Sequence, residues 1–278
     1  MSEINLEAVD IAREYYNSED ADNFYSTIWG GEDIHVGLYL SDDDTIFDAS
    51  RRTQERMLKQ VDAPDADSRV IDLGSGYGGS ARFLADRYGC RVTALNLSEV
   101  ENERARKLNR EQGLDELIEV VDGFFEELPY EDETFDLVWS QDAFLHSPAR
   151  EQVIQEASRI LKPGGDFVFT DPMQSDDCPE GVLQPILNRI HLDSMASPKF
   201  YRKTASNYNL EEVAFEELTV HLKRHYSAVL DETISHEKEI KSRVSEEYIR
   251  NMKTGLQHWI DGAEKGYLAW GIFHYKKS

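Results

Sequence analysis

Through the middle of the chain, short apolar runs alternate with amphipathic segments. The runs are Val70–Leu73, Val92–Leu95, Ile118–Val121, Leu137–Trp139 and Phe167–Phe169, and residues 79–88, 99–112 and 149–161 between them carry apolar side chains at helical spacing. The runs read as strands and the segments as helices. Such alternation predicts βαβ units, a parallel sheet and right-handed crossovers. Upstream, residues 5–29 read as one helical, aromatic-rich stretch, followed by a loop with Gly30, Gly31 and Gly37. Residues 46–61 read as a second helix with Ile46, Ala49, Met57, Leu58 and Val61 near one face. After Asp171 the alternation stops. Residues 180–209 predict helix, 213–220 a strand, 224–264 a long polar helical stretch and Tyr267–Tyr275 a last strand.

Charge narrows the partners. The 278 residues carry a formal net charge of −24, with acidic runs such as Asp42-Asp43-Asp44 and Glu131-Asp132-Glu133. Binding to a phosphate backbone rests on Lys and Arg, so nucleic acid is excluded as an expected partner. An anionic membrane surface is disfavoured for the same reason. With 40% hydrophobic residues the chain can still build a packed core. A folded protein with this much self-repulsion points to adaptation to salt, where screening is short-ranged. Cys90 and Cys178 form no disulfide framework and no metal-ligand spacing, so no metal is expected. The start, MSEINLEAVDIAREYY, has neither the basic nor the apolar region of a signal peptide, and no stretch is apolar enough to span a membrane. The expectation is a cytoplasmic enzyme.

The sharpest local signal is Val70-Ile71-Asp72-Leu73-Gly74-Ser75-Gly76-Tyr77-Gly78-Gly79, which follows a predicted strand and opens a predicted helix. Glycines there let the backbone turn tightly and approach a ligand closely. Gly74, Gly76 and Gly79 satisfy a dinucleotide pattern, and Gly74, Gly76 and Gly78 a GxGxG pattern. Asp72 separates the two: a carboxylate beside a pyrophosphate repels it, whereas it favours a cationic sulfonium ligand with a free amino group. Asn96 ends the second strand, where a ribose-hydroxyl partner is expected. Asp122-Gly123 ends the third, where an acid can accept from an adenine amine. Leu161-Lys162-Pro163-Gly164-Gly165 turns a helix into the fifth strand.

As a set, these segments resemble the class I S-adenosylmethionine-dependent methyltransferases over roughly residues 55–172. The resemblance implies a Rossmann-like α/β fold with a seven-stranded, mostly parallel sheet. It implies S-adenosyl-L-methionine as cofactor, held by Asp72, Gly74, Ser75, Gly76, Gly78, Asn96, Leu97, Asp122, Gly123, Phe124 and Gln141. Many members carry an acid at the second strand tip; Asn96 can bond a ribose hydroxyl there without charge assistance. The division it suggests is one methyltransferase domain: residues 1–54 an N-terminal lid, 55–172 the cofactor-binding core, 173–278 substrate-side helices and terminal strands.

Phe24-Tyr25-Ser26-Thr27-Ile28-Trp29-Gly30-Gly31-Glu32-Asp33-Ile34-His35-Val36-Gly37-Leu38-Tyr39 resembles the lid of small-molecule methyltransferases, which places Tyr25 and Trp29 over the cofactor. Tyr201-Arg202 and Met252-Lys253-Thr254-Gly255-Leu256-Gln257-His258-Trp259-Ile260-Asp261-Gly262 resemble the sarcosine/dimethylglycine N-methyltransferases of glycine betaine synthesis, a likeness over nearly the whole length. Betaine is a compatible solute, in keeping with the acidic composition. The acceptors so implied are sarcosine and dimethylglycine. Their carboxylate calls for donors, for which Tyr201 and Arg202 are candidates. Their amine and the quaternary product call for aromatic faces, for which Trp29 and Tyr39 are candidates. His146, after the fourth strand, sits where α/β sheets place ligands and can orient the amine or accept its proton. His221, His225 and His236 read as solvated or structural. The alternatives are a methyltransferase for glycine or phosphoethanolamine, an NAD-dependent oxidoreductase, and a non-catalytic S-adenosylmethionine-binding domain. The sequence leaves the oligomeric state open.

Salt adaptation makes a direct prediction. The thermal unfolding midpoint rises from low salt to about 2 M, as screening of the acidic surface becomes complete. A midpoint that falls steadily across that range contradicts it.

Overall fold

The computed structural model describes residues 6–278, with side chains from residue 9 onward. Its centre is a run of parallel strands: β1 (Arg69–Leu73), β2 (Arg91–Asn96), β3 (Ile118–Asp122), β4 (Phe135–Gln141) and β5 (Leu161–Thr170). The short β6 (Met173–Gln174) pairs with β8 (Leu268–Ala269) in a separate two-stranded ribbon. β7 (Leu210–Glu217) and β9 (Gly271–Lys277) complete the main sheet, with β9 antiparallel to both β5 and β7. The order is β3-β2-β1-β4-β5-β9-β7, seven strands in all. The strands after β1 go to one side and then, from β4, to the other. The reversal opens a crevice at the carboxyl ends of β1 and β4, where sheets of this kind place ligands.

Helices α1 (Leu6–Tyr16), α2 (Glu19–Ile28) and α3 (Ile46–Leu58) precede the sheet. Helices α4 (Gly79–Tyr88), α5 (Glu99–Glu111) and α6 (Arg150–Ile160) are its crossovers. Beyond β5 follow α7 (Gln184–Arg189), α8 (Pro198–Asn207), α9 (Val220–Ser235), α10 (Glu237–Ile240) and α11 (Glu246–Glu264). One apolar cluster joins Phe24, Tyr25, Ile28 and Trp29 of the N-terminal segment to Tyr226, Met252, Leu256 and Trp259 of the late helices. The two ends of the chain therefore build a common cap over the crevice. The cluster under the sheet is aromatic: Phe169 stacks on Phe273 at 4.8 Å and meets Tyr201 edge-on at 5.0 Å.

Strand positions and crossover helices follow the periodicity closely, and the flanking helices are broken where the pattern predicts continuity. The 5–29 stretch divides at Ser18, whose hydroxyl accepts from Ala21 N–H and starts α2. The 224–264 stretch divides at Ser245, which caps α11 by accepting from Tyr248 N–H and is itself held by Asp20. Caps of this kind satisfy backbone donors that a continuous helix leaves to its own carbonyls. The 180–209 stretch is two helices separated by a loop in which His191 has φ +56°. Residues 162–165 form an irregularity at the start of β5, opposite the register shift between Phe135 and Leu137. No described helix is long and apolar enough to cross a membrane.

Candidate active site

The loop after β1 has Gly74, Gly76 and Gly78 at φ +77°, +53° and +77°, a backbone that side-chain-bearing residues rarely adopt. A Cβ on Gly74 would run into the Cβ of Ala143. Gly78 caps α4. Beside this loop lies a cavity. Its walls come from the carboxyl ends of four parallel strands: Gly74 and Gly76 after β1, Asn96 and Leu97 after β2, Gly123 and Phe124 after β3, Gln141 and Asp142 after β4. Gln141 uses its amide oxygen to accept from Ser80 Oγ and Trp139 Nε1, and its Nε2 is buried without a partner. The amide N–H groups are thereby left for a ligand. Ser75 Oγ is likewise buried and unpartnered. Asn96 donates to Glu101 at 2.9 Å, and both line the cavity.

A second cavity adjoins the first. Ala12, Tyr16, Ile34, Asp142 and His146 line both. The second is aromatic, with Tyr15, Tyr25, Trp29, Tyr226 and Trp259 in its walls. At the junction Tyr16 Oη and His146 Nε2 share a hydrogen bond of 2.8 Å. Burial, with Arg150 and Arg189 nearby, pushes the His146 imidazole down to about 4, so it is neutral at physiological pH. Burial also raises the Tyr16 phenol. The pair is therefore uncharged and can pass a hydrogen bond in either direction.

The structure gathers most of the expected residues, but not all of them and not always in the expected place. Gly74, Gly76, Asn96, Leu97, Gly123, Phe124, Gln141 and His146 line the first cavity. Tyr25 and Trp29 line the aromatic cavity instead of the one beside the glycine loop. Asp72 lies behind the glycine loop, buried with one oxygen unpartnered. Asp122 turns its carboxylate outward to Asn102 at 2.7 Å and Arg106 at 2.8 Å. Tyr39 is outside both cavities; its hydroxyl meets His225 Nδ1 at 3.1 Å. Tyr201 is in the sheet core, donating to Asp171 at 2.7 Å. Arg202, the next residue on α8, faces solvent and forks onto Glu212. Neither anchors anything in the cavities. Tyr16, Glu101, Asp142 and Arg189 do line them and were not singled out in the sequence. Glu101 had the clearest signal, on the first turn of α5 after Asn96. Among the described residues no group of three or more His, Cys, Asp or Glu is placed to hold a metal.

The N-terminal segment closes the first cavity. Asp33 packs where a Cβ on Gly79 would sit and accepts from Gln54 at 2.8 Å. Val36 N–H donates to Asp142 at 2.6 Å. Ile34 between them is laid over Gly76.

A mostly parallel sheet in this order, a glycine loop at its switch point and a second cavity sharing a wall with the first define a class I methyltransferase. In agreement, the model of a methyltransferase domain family matches residues 71–169. The chain is 61% identical to the sarcosine/dimethylglycine N-methyltransferase of Halorhodospira halochloris, over 98% of this chain and 97% of that one. It is 52% identical to the enzyme of the same name from Aphanothece halophytica, over 96% of each. A crystal structure from Galdieria sulphuraria, assigned to a sarcosine dimethylglycine methyltransferase, superposes with a TM-score of 0.90 at 44% identity, covering 95% of this chain and 99% of that one. The chain belongs to the sarcosine/dimethylglycine N-methyltransferase family.

Burial raises three carboxyls near the site: Asp72 and Glu101 to about 7 and Asp171 to about 8. In the folded chain they hold protons that the unfolded chain releases near pH 4. Native binding of more protons means that stability is fully present below about pH 4 and is lost as pH rises through about 7. Asp72→Asn removes one such group. The fall in unfolding midpoint between about pH 5 and 8 is then shallower than in the parent chain. An unchanged slope shows that Asp72 ionises freely.

Proposed function

We propose that the chain transfers methyl groups from S-adenosylmethionine to the amine nitrogen of sarcosine and of dimethylglycine, ending at glycine betaine. The observation that carries this reading is the shared wall between the two cavities. One is built at the strand tips with hydrogen-bonding groups left over, and the other is lined with aromatic rings. Family membership names the acceptors.

The first cavity fits the cofactor by its donor set. Gln141 Nε2 is buried and unpartnered in its wall, suited to a polar group of an amino-acid moiety. Asn96 and Glu101 together offer a donor and an acceptor pair to ribose hydroxyls. Leu97 and Phe124 offer apolar faces to a base. When bound, S-adenosylmethionine supplies an electrophilic methyl carbon on a sulfonium, and the thioether that leaves is neutral.

The protein's part is mostly placement. Holding two reactants near attack geometry is worth up to about 7–11 kcal/mol. The amine must also be free of its proton; an alkylammonium with a pKa near that of Lys costs about 4–5 kcal/mol to deprotonate at pH 7. Within the aromatic cavity Trp29, Tyr25 and Tyr226 give the methylated nitrogen apolar faces that also suit a quaternary cation. Neutral His146, held by Tyr16, can orient the amine's lone pair toward the first cavity; an imidazole pushed down to about 4 is too weak a base to take the proton of an alkylammonium. Dimethylglycine becomes quaternary, so the second methylation leaves no proton on nitrogen to be removed.

The test is turnover of labelled cofactor with glycine, sarcosine, dimethylglycine and phosphoethanolamine as acceptors. Sarcosine and dimethylglycine give labelled product, with betaine as the end point. Turnover of glycine or phosphoethanolamine with none of dimethylglycine overturns the acceptor assignment and leaves the methyltransferase class intact.

The neutral histidine makes a second prediction. Because its imidazole is pushed down to about 4, it is already fully deprotonated at about pH 6. The pH profile of kcat/KM between about pH 5 and 8 then carries no inflection that disappears in His146→Asn. Such an inflection, lost in the variant, contradicts the buried, neutral state of His146.

A further inference from the structure

The aromatic cavity has a second neighbour. An outer groove runs between α7 and α11, and Tyr15, Arg189, His191 and Met252 line both it and the cavity. Arg189, the last residue of α7, stands at this throat. In a chain with 54 acidic residues, no Asp or Glu among the described residues lines the groove. Among the described residues the single acid in the inner cavity is Asp142, which also borders the first cavity and does not line the groove.

Arg189 is unlike arginines elsewhere in the chain. Arg104 forks onto Asp22, Arg159 onto Glu156 and Arg202 onto Glu212. Among the described residues no carboxylate pairs with Arg189. Its Nη2 donates to Tyr15 Oη at 3.3 Å and touches the Met252 sulfur, and its Nε is buried without a partner. Gly255 on α11 makes the position possible: a Cβ there would run into Arg189 Cδ and Nε. Tyr15 is fixed in turn by hydroxyl contacts of 3.1 Å to Tyr25 and to Tyr248. A guanidinium held rigidly at a cavity wall with no anion has costly unmet demand, and a planar carboxylate matches its fork.

We propose that Arg189, seated over Gly255, anchors the carboxylate of the acceptor, and that the groove between α7 and α11 is the path by which the acceptor reaches it. The proposal rests on the methyltransferase reading above. It orients the substrate without further assumption. The amine nitrogen of these acceptors is one carbon from the carboxylate. With the carboxylate at the throat, the nitrogen lies among the rings of the inner cavity and its lone pair is directed toward the wall shared at Tyr16 and His146. The product keeps its carboxylate and leaves by the same route.

The full-length enzyme with S-adenosylmethionine tests this using dimethylglycine and its neutral carboxamide, dimethylaminoacetamide. In the parent enzyme kcat/KM strongly favours the acid. Arg189→Ala raises KM for dimethylglycine by about 10- to 150-fold, the span that a charged hydrogen bond supports. It leaves the amide almost unaffected, so the acid-to-amide ratio collapses. Calorimetric affinity for S-adenosylhomocysteine stays within about twofold of the parent. Gly255→Ala lowers the same ratio with Arg189 still present. If Arg189→Ala no longer binds S-adenosylhomocysteine, Arg189→Gln is read in its place. An acid-to-amide ratio unchanged in a variant that binds S-adenosylhomocysteine normally overturns the anchor. A parent enzyme that binds S-adenosylhomocysteine and methylates neither compound overturns the functional reading itself, an outcome distinct because it precedes any variant.

Discussion

The carboxylate of Asp142 holds together the three parts of the chain that make the site. One oxygen accepts from the backbone of Val36 at 2.6 Å and the other from Trp270 Nε1 at 2.8 Å. The N-terminal cap, the tip of β4 and the C-terminal strand region therefore meet at one half-buried side chain. The backbone of Asp142 is left-handed, with φ +52°, a conformation Asp tolerates better than most residues but not without cost. Because both oxygens are occupied by donors fixed in separate segments, the turn is over-determined. Asp142 borders both cavities, so the same constraint that joins the segments also sets the wall between cofactor and acceptor.

Charge is distributed in keeping with that arrangement. The chain carries acidic runs at its surface, whereas the groove beside the aromatic cavity presents Arg189, His191 and His258 and, among the described residues, no acid. A zwitterionic acceptor meets cationic and polar groups at the entrance and rings further in. Neutral His146 and the raised tyrosine phenols add no charge of their own to the interior. Aromatic faces then serve a nitrogen that loses hydrogen-bonding capacity with each methyl group added.

What the sequence disclosed and what it hid have a common physical reason. Strands, crossover helices and the glycine loop are set by local pattern. The loop's left-handed glycines and the strand-tip residues Asn96, Gly123 and Gln141 could be placed by their position after an apolar run. Which side chain faces a cavity between distant segments depends on tertiary packing. Tyr201 and Arg202 show it: one residue apart on α8, the first turns into the aromatic core under the sheet and the second turns to Glu212 in solvent. Arg189 gave little signal, because α7 is a short helix and its guanidinium acquires meaning only from Tyr15, Met252 and Gly255, which are remote in sequence. Tyr39 likewise sits behind His225, a histidine whose burial no local pattern announced.

The central claim is that methyl donor and acceptor meet through one shared wall. A crystal structure with S-adenosylhomocysteine and dimethylglycine bound together tests it most directly. The account predicts the homocysteine sulfur and the amine nitrogen on the two sides of the junction formed by Tyr16, Asp142 and His146, with the acceptor inside the aromatic cavity. Dimethylglycine bound elsewhere, with its nitrogen remote from the sulfur and the junction closed by side chains, would contradict it.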